Sequence, residues 1–382
     1  MCAGYSRNDG VFSAPAANKV VLFDWDSTSS SNITNLCMDT STLGSSFSQS
    51  SSHYAAIVYG SSINDIVMVD NGWVSTITMG DGDDVVHAKD ADAADDIDMG
   101  EGDDFLIINS DANDISLDGG LGSDWLAFRT VNWGASSAKT YTLNSGNASN
   151  FENLLGSNND DTLTGDASAN IIIGAKGVDT INGDAGNDTI WGDCSTSACK
   201  TLISQNQSSY SLDESYWGSS GKNDILNGGA GDDTIYGEIG DDTIDGGAGN
   251  DTIISGSGSD VIIITSSSDS DTLSDFTDGT DAIGFDSSIT SSNLVIAASG
   301  SDTVIKNGSD ILLTLTGISS ANVTAADLQS TSTDAQTING TSGNDILVGG
   351  AGNDTFNGGA GSDQLVGWGG DDTFNITSKS GS

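Results

Sequence analysis

From Gly228 the chain reads GGAGDDTIY, then GEIGDDTID from Gly237, GGAGNDTII from Gly246 and SGSGSDVII from Ser255. Each block has nine residues. Glycine stands at the fourth position of every block and at the first of all but the last, where Ser255 replaces it; Asp stands at the sixth (Asp233, Asp242, Asp251, Asp260) and a large aliphatic residue at the eighth. Self-similarity at a fixed short period marks a repeat architecture. The glycines of the first six positions suit a backbone with positive φ and tight turns. The last three positions read as a short strand. Its central residue points inward and its neighbours outward, as strand alternation requires. Two units then make one coil of a right-handed parallel roll, with a turn on each side, and coils stack at roughly 4.8 Å.

The same frame appears on either side. From Gly156 the chain reads GSNNDDTLT, GDASANIII, GAKGVDTIN and GDAGNDTIW, with Asp161, Asn170, Asp179 and Asp188 at the sixth position. From Gly340 it reads GTSGNDILV, GGAGNDTFN, GGAGSDQLV and GWGGDDTFN, with Asp345, Asp354, Asp363 and Asp372. A degenerate unit ending KNDILN, with Asp224, leads into the middle array. A looser version, MGDGDDVV, MGEGDDFL and GGLGSDWL, starts at Met79, Met99 and Gly119 and places Asp84, Asp104 and Asp124 in equivalent turns of slightly longer coils.

Composition agrees with turns rather than helices. Of the 382 residues 50 are Gly and one is Pro, and the 55 acidic residues face 10 Lys and Arg, for a net charge of −45. All but four of the acids (Glu101, Glu152, Glu214, Glu238) are Asp, which favours turns where Glu favours helices. Such charge opposes compaction and would suit a disordered chain, yet the Asp residues hold fixed offsets from Ile, Leu, Val and Phe. Cations that neutralise them are the sharper reading, and many hard oxygen ligands point to Ca²⁺. The same charge makes nucleic acid a poor partner.

These units resemble the repeats-in-toxin (RTX) nonapeptide G-G-x-G-x-D-x-U-x, where U is a large apolar residue. The resemblance implies an all-β protein built of right-handed parallel β-roll (β-solenoid) arrays with Ca²⁺ in the turns, plus irregular β caps. It implies Ca²⁺ between turns two units apart, held by sixth-position carboxylates and backbone carbonyls. The pairs are Asp161 with Asp179, Asn170 with Asp188, Asp224 with Asp242, Asp233 with Asp251, Asp242 with Asp260, Asp345 with Asp363 and Asp354 with Asp372. Asn170 is neutral, Ser168 replaces a turn glycine and Lys222 places a cation where glycine is expected, so the sites they touch are weaker. Residues 265–330 resemble the module that caps the roll in type I-secreted proteases and lipases. In that family a secretion signal usually follows the last repeats, whereas here the sequence stops at NITSKSGS.

The expected organisation is an irregular β cap over 1–60, a degenerate solenoid over 61–135 and a first array over 136–192. A Cys-containing loop insert follows over 193–218, then a second array over 219–264, a capping module over 265–330 and a third array over 331–382. Cys194 and Cys199 stand at a spacing that could close a small disulfide loop, with free thiols or a metal site as the other readings. Cys2 with Cys37 has no local motif behind it. No apolar run reaches membrane-spanning length, and the N-terminus lacks the apolar core of a cleavable signal.

Neither H-E-x-x-H nor G-x-S-x-G occurs, and only His53 and His87 are present, so the chain is not expected to be an enzyme. Three classes remain. One is a secreted structural protein of the cell surface, a surface-layer or extracellular filament subunit forming homo-oligomers or polymers with Ca²⁺. The second is the secretion and stabilisation region of a larger exported enzyme or toxin. The third is an adhesin segment that meets a cell-surface glycan or ice, with Trp73, Trp217 and Trp368 as contact residues.

Overall fold

The computed structural model describes residues 56–60, 62, 64–69, 74–88, 96–108, 116–128, 138–205, 221–266, 269–285, 288–289 and 294–375, together with strands Val20–Phe23, Leu36–Cys37 and Ser46–Gln49. The chain divides into two units. The first comprises residues 1–166, 170–177 and 194–218, the second residues 167–169, 178–193 and 219–382.

In the first unit the strands stack in parallel, each paired with the one a coil earlier, with one register shift between Ala56 and Ile57. One file runs through Ile66–Val69, Val85–Ala88, Phe105–Ile108, Trp125–Phe128, Asn153–Leu155 and Ile171–Ala175. A second runs through Ala56–Tyr59, Val74–Thr78, Asp96–Asp98, Ser116–Asp118 and Ala148–Ser149. Parallel pairing already links Val20–Phe23, Ser46–Gln49 and Ile66–Val69, inside and just past the stretch expected as an irregular cap. Coils here run from Asp84 to Asp104 and from Asp104 to Asp124, slightly longer than two nonapeptides. Val86, Leu106 and Leu126 are fully buried one above another.

The second unit uses the two-nonapeptide coil. Thr189–Asp193, Thr234–Tyr236, Thr252–Ile254 and Asp271–Leu273 form one parallel file. Thr180–Asn182, Ile225–Ala230, Thr243–Ala248, Val261–Ile264, Ala282–Phe285 and Leu328–Ser330 form the other. Eighth-position residues Ile190, Ile235, Ile253, Leu226, Ile244 and Ile262 are buried between them. Each is worth about 1.5–3 kcal/mol of apolar burial. The β-branched Thr beside them suits a half-buried pleated surface. Some turn positions leave no room for a side chain. At Gly249, with φ +135°, an added Cβ would lie 1.9 Å from the Gly231 carbonyl oxygen of the coil before.

Residues 265–330 break the pattern with an antiparallel meander, Leu294–Ser299, Asp302–Asn307 and Asp310–Leu315, whose last strand pairs in parallel with Asp271–Leu273. The third array follows. Its two short files are Thr337–Asn339 with Thr355–Asn357 and Thr373–Asn375, and Ile346–Val348 with Gln364–Val366. It is tied to the preceding module by the Ser330 amide donating to the Gly349 carbonyl and by the Trp368 indole N–H donating to the Leu328 carbonyl at 2.6 Å.

The Cys-containing insert departs from the expected loop. It carries a helix, Ser197–Gln205. Thr196 caps it, its Oγ1 accepting from the Cys199 amide, and Ala198, Lys200 and Leu202 are good helix formers. Cys194 and Cys199 are disulfide-bonded and buried, with Cα atoms 5.5 Å apart. Cys2 lies outside the described residues, as do Trp73 and Trp217. The insert does not separate two arrays. A Cβ on Gly192 would meet Asp224 Oδ2 at 2.4 Å, as one on Gly228 meets Asp233 Oδ2 at 2.4 Å. Gly240 abuts the Lys222 carbonyl just as Gly249 abuts that of Gly231. Gly192 and Asp193 are therefore positions one and two of a single turn, and Gly221 to Asp224 are positions three to six. The two halves of that turn are separated in sequence by residues 194–220, and the ladder passes directly from Asp179 to Asp224.

Candidate metal centres

The sixth-position carboxylates form ladders along the turns. The amide of each donates to Oδ1 of the next coil's equivalent: Asp84 to Asp104 at 2.7 Å, Asp104 to Asp124 at 2.8 Å, Asp224 to Asp242 at 2.8 Å, Asp233 to Asp251 at 2.8 Å and Asp242 to Asp260 at 2.9 Å. Asp179 and Asp188 reach Asp224 and Asp233 in the same way across the insert, at 2.8 and 2.6 Å. In the third array Asp345 donates to Asp363 and Asp354 to Asp372. The expected pairs Asp161 with Asp179 and Asn170 with Asp188 have one member in each unit, and each residue is described within its own.

The ladders extend beyond the expected residues. Asp65 donates to Asp84, and Asp124 to the Glu152 carboxylate. Asp251 donates to Asp271 at 3.0 Å and Asp260 to Asp281 at 3.2 Å. The signal for Asp271 was present in Asp271-Thr272-Leu273, which repeats Asp251-Thr252-Ile253 at a step slightly longer than two units. A second ladder runs the opposite way at position five. There the side chain of one coil accepts from the amide of the next: Asp241 to Asn223, Asn250 to Asp232, Ser259 to Asp241 and Asp103 to Asp83.

Position two sorts the turns into two kinds. In one kind it lies in the left-handed region, as at Gly80, Gly100, Gly120, Gly229, Glu238, Gly247 and Gly256, with φ from 75° to 108°. The matching carboxylates Asp84, Asp104, Asp124, Asp233, Asp242, Asp251 and Asp260 then keep Oδ2 buried without a hydrogen-bond partner, and Asp224 and Asp271 do the same. In the other kind the position-two amide turns inward and donates to the carboxylate. Ser157 does so to Asp161, Thr277 to Asp281, Thr341 to Asp345 and Gly350 to Asp354.

The two kinds differ electrostatically. Burial, the largest cause throughout, lifts Asp84 and Asp224 to about 9, Asp124 and Asp271 to about 8, Asp104 and Asp242 to about 7, and Asp233 and Asp260 to about 6. Amide hydrogen bonds from the coil before oppose this, and neighbouring carboxylates add to it. A buried carboxylate oxygen with no donor carries a large desolvation cost that a cation would relieve. The residues present therefore fit calcium at the open turns: hard anionic oxygens, adjacent backbone carbonyls and no competing amide. At Asp161, Asp281, Asp345 and Asp354 a hydrogen bond already fills that role. Among the described residues no group of three or more His, Cys, Asp or Glu side chains is placed to hold a metal, so carbonyl oxygens would complete each shell.

A family model agrees with this geometry. The RTX calcium-binding nonapeptide repeat matches at residues 154–193, 219–253, 228–262 and 339–374. Among solved structures, a subunit of the Azotobacter vinelandii mannuronan C5-epimerase is similar at 24% identity, covering 28% of this chain and 72% of that one with a TM-score of 0.25. The extracellular lipase LipA of Serratia marcescens is similar at 14% identity, covering 76% of this chain and 40% of that one, with a TM-score of 0.16. No curated protein sequence matches. The segments 154–193, 219–262 and 339–374 are RTX calcium-binding nonapeptide repeats.

Proposed function

We propose that this chain is a secreted, calcium-binding structural protein that folds outside the cell when Ca²⁺ enters its open turns and then self-assembles as a surface-layer or filament subunit. The observation that carries the folding half is the row of buried, donor-less Oδ2 atoms from Asp224 to Asp271. Carboxylates so placed oppose folding until a cation compensates them, so metal-binding free energy becomes folding free energy. Where Ca²⁺ is scarce the charged chain stays open and suits export; at extracellular calcium the equilibrium reverses. The repeats spread along the whole chain and the lack of a catalytic motif support a structural role. Among the described residues no helix is long and apolar enough to cross a membrane.

A second reading is the calcium-binding stabilisation region of an exported enzyme or toxin, favoured by the antiparallel meander 294–315 that interrupts the coils. Light scattering during a Ca²⁺ titration separates the two. Large particles forming together with β-structure support the assembling scaffold. A folded particle that stays monomeric removes it in favour of the second reading.

A further inference from the structure

We propose that Lys139 is a built-in cation that takes the place of metal at the turn adjoining Asp161, so that the coil bearing residues 138–142 joins the first array without calcium. The proposal rests on the reading above that the open turns hold Ca²⁺.

Register places this lysine in the repeat frame. Thr140, Tyr141 and Thr142 pair in parallel with Thr162, Leu163 and Thr164. Lys139 therefore precedes its strand as Asp161 precedes its own, at position six. Its amide donates to Asp161 Oδ1 at 2.6 Å, the same ladder bond that joins Asp224 to Asp242. The ladder bond and the strand register are those of a repeat, but the side chain has the opposite charge.

That side chain is held inside the roll. Lys139 is only 6% exposed, and its Nζ lies 5.8 Å from the centroid of the Phe128 ring, itself buried and packed edge-on to Tyr141. A lysine this buried needs a counter-charge, and an aromatic face adds a cation–π attraction. Burial raises the Asp161 carboxyl above its ordinary value, and the hydrogen bonds from Ser157 and Lys139 together with the ammonium charge oppose that rise. Asp161 also has no orphaned oxygen. Oδ2 accepts from the Ser157 amide, and Oδ1 from the Ser157 hydroxyl and the Lys139 amide. A divalent ion here would stand against a buried ammonium and find the carboxylate already satisfied, whereas at Asp104 or Asp242 it would find a vacant oxygen and acidic neighbours.

The test counts calcium bound to the full chain by equilibrium dialysis, comparing wild type with Lys139→Asp and Asp233→Ala. Lys139→Asp restores an acid at position six and is expected to bind one further Ca²⁺ per chain. An unchanged count in a folded Lys139→Asp chain overturns the proposal. Asp233→Ala is the control for the underlying reading. If wild type binds no calcium, or Asp233→Ala binds as much as wild type, the fault lies in the calcium assignment and not in Lys139. Should Lys139→Asp fail to fold, melting in saturating Ca²⁺ decides. Lys139→Met is expected to melt several degrees below wild type and Lys139→Arg close to it. A Lys139→Met chain as stable as wild type overturns the proposal.

Discussion

The amide of Asp224 donates to Asp242 Oδ1 at 2.8 Å, one coil further on, and leaves Asp242 Oδ2 buried with no hydrogen-bond partner. The bond fixes one oxygen of the carboxylate and aims the other into the turn. Repeated along the stack, it gives a row of buried carboxylate oxygens on a shared backbone scaffold, the row proposed to seat the cations.

Removing both members of one seat tests its assignment. Asp233→Ala with Asp251→Ala should raise the Ca²⁺ midpoint for folding several-fold, a loss of about 1–3 kcal/mol, as read by circular dichroism against calcium concentration. A midpoint equal to that of wild type removes this seat. Asp345→Ala, in a turn already closed by the Thr341 amide, should shift the midpoint less.

The pH dependence has a definite sign. Burial raises Asp84, Asp124, Asp224 and Asp271 to about 8–9, so between the ordinary carboxylate value and these values the folded chain holds more protons than the unfolded one. In chelator, stability should therefore be fullest below about pH 4 and fall as pH rises from there through about 9. Saturating Ca²⁺ should abolish that fall and release protons on binding. Melting temperatures in chelator that rise from pH 5 to pH 9 would contradict the assignment.

Glycine substitutions should separate turns that touch the next coil from those that do not. Gly249→Ala drives Cβ to 1.9 Å from a backbone oxygen and should cost several kcal/mol. Gly279→Ala has open space around it and only its φ of +73° to oppose it, so about 1 kcal/mol is expected. Urea denaturation at fixed Ca²⁺ measures both.

The insert should be dispensable to the coil. Cys194→Ser with Cys199→Ser removes a disulfide that closes a small loop within residues 194–220. Because the ladder runs directly from Asp179 to Asp224, the Ca²⁺ midpoint should stay within about twofold of wild type. A large shift would show that the insert holds the turn together.

Much of this was legible in the sequence, because the nine-residue period states position and chemistry together. Ile235 and Asp233 declare an inward residue and a turn acid wherever the frame is intact. Legibility failed where the frame stretched or was split. Asp271 and Asp281 follow Asp251 and Asp260 at steps longer than the two-unit step from Asp233 to Asp251. The halves of one turn, Gly192-Asp193 and Gly221 to Asp224, are parted by residues 194–220. The sequence also assigns an acid to each turn without showing whether position two will donate to it. That depends on backbone conformation, which separates Ser157 from Glu238 although neither is glycine. Lys139 was hidden because its unit, GASSAKTYT from Gly134, keeps the first glycine but has Ser137 at position four and no acid at position six.

The proposal that calcium in the open turns makes the folded state stable is tested most directly by far-ultraviolet circular dichroism of the purified chain at pH 8, titrated with Ca²⁺ from chelator. Little β-structure is expected in chelator, followed by a cooperative rise with a midpoint on the order of 10⁻⁴ to 10⁻³ M, the range of extracellular calcium modules. A spectrum already fully β in chelator at pH 8, and unchanged by calcium, would contradict it.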